Sequence, residues 1–217
     1  MILSATDFPL MEERYRSTYL NSISGFKSLA LIGTQNTSGI HNLAVFNSIV
    51  HLGASPALLG MIIRPDTVRR HTLENILQQG YYTINHIHSG MMPQAHLASA
   101  SFLDTDSEFD ACGFTVEDSG FPAPFIGESR IKLLMKYRQH IHLDINHTNL
   151  IIGEIIQIHS PDNCVSADGF VDLHKAGTLT VAGLDAYYST MPYDRYNYAR
   201  PGKPIESLLT INGAPDA

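Results

Sequence analysis

The longest regular pattern in the chain runs through residues 131–159. Ile131, Leu133, Met135 and Tyr137, then Ile141, Leu143 and Ile145, put apolar side chains at every second position. Lys132, Lys136, Arg138, His140, His142 and Asp144 take most of the alternate positions. A two-residue period sustained this long describes a half-buried strand, because in a helix the same spacing would scatter both sets around the axis. Asn146-His147-Thr148-Asn149 reads as a turn and residues 150–159 as the returning strand, so the fold must contain a long antiparallel hairpin. Residues 28–33, 42–50, 57–64 and 81–87 read as further strands, and polar, glycine-containing residues 34–39 join the first two as a hairpin. Helices are expected to be few and short: 73–79, a piece within 91–98, and one near 107–112. Many strands with short helical connections predict a mainly β protein, an antiparallel Greek-key barrel with a few short peripheral helices.

A chain of 217 residues can bury one sizeable core, and a single domain over 1–217 is the expectation. Its core is expected to span about 20–190, with a Pro- and Tyr-rich segment from 190 to 217 either an extended arm lying on the barrel or on a partner subunit, or a loose terminus. Fourteen basic against twenty-one acidic residues give a net charge of −7, which disfavours nucleic acid and anionic membrane as partners. Cys112 and Cys164 stand far apart without a Cys-x-x-Cys spacing, so neither a disulfide framework nor a thiolate metal site is expected. The first residues carry no basic start followed by an apolar run, and no stretch reaches the roughly twenty apolar residues of a membrane span. The expected location is the cytoplasm.

Against this acidic background, Arg64, Arg69, Arg70 and His71 cluster before a short helix. Thr72 suits its N-cap, Leu73, Ile76 and Leu77 share one face, and Gly80 suits its left-handed end. The first amides of a helix lack partners within it, and the macrodipole adds positive charge there. This arrangement suits a small anion such as a phosphate. In the strand before it, Leu43, Val45 and Ile49 fall on one face. Asn42, Ala44, Phe46 and Ser48 fall on the other, and such a mixed face suits the edge and plane of a flat heteroaromatic ring.

The order of these features resembles the flavin reductase-like family of FMN-binding split barrels. The matching segments are Asn42-Leu43-Ala44-Val45-Phe46-Asn47-Ser48, Ile63-Arg64-Pro65, Thr72-Leu73-Glu74-Asn75-Ile76 and Thr83-Ile84-Asn85. The acidic segment from Ser107 to Gly113 and the late Gly183-Leu184-Asp185-Ala186-Tyr187-Tyr188 also match, so the likeness covers about residues 20–190. Where relatives often carry a Gly-Gly pair in the late segment, this chain has Ala182-Gly183. The resemblance implies a split barrel working as a homodimer, with FMN near the subunit interface. It implies that Arg64, Arg70, His71 and Thr72 hold the phosphate. Asn42, Ala44, Phe46, Asn47, Ser48 and Asn85 would line the ribityl chain and ring, with Tyr188 a further contact. The implied chemistry is hydride transfer from NAD(P)H to flavin, with free flavin, a metal or a partner oxygenase as acceptor. The cofactor carries the electrons, so no catalytic acid or base is required of the protein.

Two other readings compete. The same site could serve a non-enzymatic FMN carrier or electron-transfer protein. Alternatively, His140-x-His142-x-Asp144 could present three metal ligands from one strand face, although Lys136 and Arg138 would share that face and oppose a cation. No G-x-G-x-x-G follows a strand and opens a helix, and no G-x-S-x-G elbow occurs, so a Rossmann domain and a serine hydrolase are not supported.

Overall fold

The computed structural model describes residues 1–65, 67–103 and 105–209; the last eight residues of the expected arm, and Asp66 of the cationic loop, lie outside the described residues. In chain order the elements are α1 (Glu13–Ile23), β1 (Lys27–Ser28), β2 (Ala30–Gln35), β3 (His41–Phe46), β4 (Ile49–Ala54), β5 (Ala57–Ile63), α2 (His71–Gln79) and β6 (Tyr81–His86). There follow α3 (Met92–Leu97), α4 (Glu108–Cys112), β7 (Val116–Glu117), β8 (Phe125–Ile126), β9 (Lys132–Leu143), β10 (Thr148–His159), β11 (Leu179–Ala182) and β12 (Ala186–Ser189). No helix among the described residues is long and apolar enough to cross a membrane.

The main sheet has seven strands in the order β3-β2-β6-β9-β10-β5-β4, every pair antiparallel. Its two edge strands, β3 and β4, are consecutive in sequence and separated only by Asn47 and Ser48. Laid flat, seven strands would put these edges about 29 Å apart, whereas three peptide steps from Phe46 to Ile49 reach about 10 Å. The sheet must therefore roll up until its edges meet. All seven strands contribute to one interior cluster, among them Phe46, Ile49, Met61, Ile84, Met135 and Ile151, and Leu73 and Ile76 of α2 pack against the same cluster. A second core lies outside the barrel, where Leu31 and Leu43 meet Met91 and Ala95, Phe109 of α4, and Val181 of β11.

The expected single strand over 42–50 is thus two strands. Leu43 and Val45 face the outer core while Ile49 faces the interior, because the chain changes sheet edge at Asn47–Ser48. The opposite face of β3 points into the barrel, with Asn42, Ala44 and Phe46 paired to Thr34, Ile32 and Ala30. Helix α1 and strands β11 and β12 were not legible in the periodicity. Helix α1 has no buried residue, β12 is largely exposed, and β11 alternates over only four residues.

The long hairpin forms as expected, but with a change of face midway. Tyr137 pairs with Gly153 and Gln139 with Ile152, which leaves Arg138 as an extra residue, a bulge. A bulge inverts the alternation beyond it. His140 and His142 therefore stand on the side of the buried Ile151 and Asn149 rather than with Lys136 and Arg138 as the sequence period requires. Gly153 allows this arrangement. A Cβ there would lie 2.9 Å from Tyr82 Cζ and closer still to its hydroxyl, which is buried without a hydrogen-bond partner.

Replacing Gly153 by Ala should cost about 2–4 kcal/mol in urea unfolding, since neither the buried ring nor the bulged strand can give way. Tyr82→Phe, which removes the unpartnered hydroxyl, should leave stability within about 1 kcal/mol of the parent. His86 yields a pH prediction. It is half-buried at the end of β6, and loss of solvent pushes its imidazole down to about 4 from an ordinary 6.5. Below about pH 6.5 the unfolded chain binds a proton that the folded chain refuses, so stability should fall as pH drops from 6.5 to about 4. His86→Gln should flatten that limb of the stability–pH curve.

Candidate functional site

The seam where the barrel closes gathers segments that are distant in sequence. Asn47 Nδ2 donates to the carbonyl of Gly183 at 3.1 Å, and Ser48 Oγ donates to Asn47 Oδ1 at 3.2 Å. The Ser48 carbonyl accepts from Ile62 N–H at 3.0 Å, and Ile49 N–H donates to Ser28 Oγ at 3.2 Å. Gly183 has a φ of +66°, the left-handed region, in the turn between β11 and β12. The three-stranded sheet β1-β11-β12 is thereby fastened against the join between β3 and β4.

Two cations flank this seam. Arg64 leaves the end of β5 and is exposed. Lys27, paired with Val181, is partly buried and donates from Nζ to the Asn21 carbonyl at 3.1 Å. Desolvation, and then the charge of Arg64, hold the Lys27 amine below its usual value. Among the described residues neither cation forms an ion pair with a carboxylate. Like charges left this way favour an anion between them. Beside Lys27, the Phe26 ring meets the half-exposed Tyr188 edge-on, with centroids 4.9 Å apart.

The start of α2 forms the other part of the site. The helix begins at His71 with Arg70 as N-cap and no side-chain cap, so Thr72 is not the capping residue that its type suggested. Its hydroxyl is engaged elsewhere, 3.1 Å from the Asn42 carboxamide. Arg70 Nε donates to the Pro65 carbonyl at 3.1 Å, which holds its guanidinium over the loop. Arg69 pairs with Glu74 at 3.0 Å. Gly80 ends the helix with a φ of +76°, as expected. His71, Asn42, Asn75, Arg69 and Glu108 line a cleft beside this helix start.

The structure thus brings Asn47, Ser48 and Tyr188 to the seam and Arg64 to its rim. Asn42, Arg70, His71 and Thr72 gather at the helix start. Phe46 packs into the barrel interior, and Ala44 shares its face of β3. Asn85 stands apart from both groups. It is fully buried, donating to the Leu31 carbonyl at 3.2 Å and to Thr83 Oγ1 at 2.9 Å, and accepting from Ile126 N–H at 3.0 Å. Its bonding capacity is spent in fastening β8 to β6. Lys27 was missed from sequence because β1 is two residues long and shows no period. Its place follows from pairing with a strand more than 150 residues away.

The metal arrangement suggested by His140, His142 and Asp144 is not assembled. His140 Nε2 and His142 Nδ1 both meet Asn149 Oδ1, at 2.8 and 3.1 Å, while the Asp144 side chain is fully exposed. His142 Nε2 comes within 3.9 Å of Asp144 Oδ1, but the bulge at Arg138 turns both histidines toward Asn149, whose side-chain oxygen they share. Among the described residues no group of three His, Cys, Asp or Glu side chains could hold a metal ion.

Comparison with known proteins gives this geometry a setting. Residues 26–178 match the model of the flavin reductase like domain. A split-barrel-domain protein from Shewanella frigidimarina, described as a candidate flavin reductase, is 48% identical. The alignment covers 92% of this chain and 100% of that one, with a TM-score of 0.88. Nitrilotriacetate monooxygenase component B from Bacillus cereus superposes with a TM-score of 0.79 at 15% identity, over 90% of this chain and 98% of that one. An FMN-binding protein from Thermus thermophilus does so with a TM-score of 0.63 at 13% identity, over 77% and 88%. At those identities the last two show the shared split-barrel fold. No curated protein sequence matches.

Proposed function

Because this chain belongs to the flavin reductase like family, we propose that it is an FMN-binding flavoprotein that reduces flavin with NAD(P)H. Membership makes it a flavin-linked oxidoreductase; the identity of the flavin, its donor and its site residues are the finer reading. The observation that carries it is the pair Lys27 and Arg64. These are two cations beside the Asn47–Ser48 seam, with no carboxylate partner among the described residues.

In this reading Arg64, Lys27 and Arg70 supply charge to the phosphate, and the first amides of α2, at His71 and Thr72, supply donors. Asn47 and Ser48 present short polar side chains at the seam, where the ribityl chain and ring edge would lie, with Ala44 and Phe46 behind them. Tyr188 and Phe26 offer an aromatic wall beside Lys27. When bound, the flavin supplies hydride acceptance and electron storage. The protein's part is to position the ring and exclude water from one of its faces. The second nucleotide then needs only to stack, consistent with a chain that has no Rossmann fingerprint. The acceptor would be free flavin or a partner oxygenase, as the resemblance implies.

The reading includes a homodimer. Among the described residues no element packs as a layer on the outer face of β4, β5 and β10. Val50, Leu52 and Leu150 gather over Gly60 there, with Val50 and Leu52 nearly half exposed. An apolar sheet face of this kind is suited to burial against a second copy.

Purified protein mixed with FMN and desalted should retain the flavin absorption. Lys27→Ala with Arg64→Ala should lose it, with affinity down about a hundredfold for two charge-assisted contacts. Anaerobic NADH or NADPH should bleach the retained flavin; a flavin that stays oxidised with both donors would mark a carrier instead. In sedimentation velocity the parent protein should run as a dimer. Val50→Glu with Leu52→Glu should run as a folded monomer, and an unchanged dimer would place the interface elsewhere.

A further inference from the structure

Glu108, the first residue of α4, is an acid buried in the protein, only 6% exposed. One carboxylate oxygen, Oε2, accepts from Leu43 N–H on the edge strand β3 at 3.2 Å. The other, Oε1, lies 3.3 Å from one end of the Asn42 carboxamide. The far end of that carboxamide lies 3.1 Å from Thr72 Oγ1 and 3.2 Å from Thr34 Oγ1. Thr34 Oγ1 also accepts from Asn75 Nδ2 at 3.0 Å. A continuous polar chain therefore leads from a buried carboxyl to the second residue of α2.

A carboxamide has one donor end and one acceptor end, so Asn42 can face Glu108 in two ways. If Glu108 is ionised, Asn42 Nδ2 must face it, and Asn42 Oδ1 is the acceptor for the Thr72 and Thr34 hydroxyls and for Leu43 N–H. If Glu108 is protonated, its O–H donates to Asn42 Oδ1, and Asn42 Nδ2 donates to Thr72 and Thr34. In the first arrangement the Thr72 hydrogen is drawn inward to Asn42, alongside those of Thr34 and Leu43. In the second, Thr72 accepts from Asn42 and its hydrogen is free to donate at the helix start.

We propose that Glu108 is a positioning residue that sets, through Asn42, whether Thr72 can donate to an anion at the start of α2, so that anion binding there takes up a proton. The inference rests on the flavin reading, in which that anion is the FMN phosphate. Burial holds the Glu108 carboxyl above the usual range; its bond from Leu43 N–H opposes this and the nearby Asp106 charge adds to it. The other charged and titratable groups around it are known. Arg69, His71 and Glu74 line the same cleft from the loop and α2. His41 of β3 packs its ring on Phe109 and feels Asp110, while burial and the Glu108 charge push the Cys112 thiol up.

The test is a titration of FMN and of riboflavin, which lacks the phosphate, by flavin fluorescence. It spans about pH 5 to 8, where folded proteins are generally most stable. Wild-type protein is compared with Glu108→Gln, whose side chain can donate to Asn42 and accept from Leu43 at every pH. Wild-type affinity for FMN should fall about tenfold as pH rises through the Glu108 titration, one hydrogen bond to a charged group being lost. Glu108→Gln should keep the tight, low-pH affinity throughout, and riboflavin binding should be flat in both proteins. The phosphate itself titrates near pH 6, but it does so equally for both proteins. Calorimetry of FMN binding in two buffers of different ionisation enthalpy should count proton uptake in wild type beyond that in Glu108→Gln. Thr72→Ser should preserve the coupling and Thr72→Val should abolish it. Parallel FMN profiles for wild type and Glu108→Gln overturn the coupling alone, as does a riboflavin profile that tracks FMN. Should the Gln variant not fold, a wild-type proton count that shows release rather than uptake overturns it. Wild-type protein that binds no FMN at any pH overturns the flavin reading and the coupling together.

Discussion

The two-residue link Asn47–Ser48 is the constraint on which the rest of the structure depends. It ties the two edges of a seven-stranded sheet together across a gap that a flat sheet could not close. Closure creates the barrel interior and leaves no free edge between β3 and β4 for another chain to pair with. It also creates a seam at which backbone runs without ladder partners. The small sheet β1-β11-β12 answers that need through the Asn47–Gly183 and Ser28–Ile49 bonds. The seam part of the candidate site lies here because short polar side chains and cations meet at it outside a sealed core.

The energetics of the two halves of the site differ. At the seam, Lys27 and Arg64, without an ion-pair partner among the described residues, carry charge near the surface, where solvent moderates the repulsion and a ligand can reach it. At the helix start, the Glu108–Asn42–Thr72 chain is buried, so each member must be satisfied by its neighbours and a change at one end is felt at the other. An exposed charge pair confers attraction, whereas a buried hydrogen-bonded chain confers orientation. A phosphorylated ligand would need both.

The fate of the histidines on β9 shows how a local irregularity redirects chemistry. Alternation puts His140 and His142 with Lys136 and Arg138, but one extra residue at Arg138 moves them to the side of Asn149. The bulge is matched by Gly153 on the partner strand, where Tyr82 leaves no room for a side chain. Nothing in the run of β9 announces the bulge, because it arises from packing between β9, β10 and β6. The same reasoning covers Asn85, whose motif matched a family pattern but whose side chain is consumed in holding β8.

By itself the sequence determined the mainly β class, the long hairpin, the β2–β3 hairpin, the position of α2 and its glycine end. These depend on side-chain period and turn chemistry, which are local properties of the chain. It also placed Arg70, His71 and Thr72 together at a helix start, since those residues are neighbours along the chain. The tertiary structure alone decided that residues 42–50 split at Asn47–Ser48, that Lys27 joins Arg64, and that Glu108 reaches Asn42. Lys27 meets Arg64 through a two-residue strand paired with β11, and Glu108 acts across 65 residues. No periodicity records such contacts, because they exist only once the sheet has closed and brought its edges, its flanking sheet and its capping helices to one place.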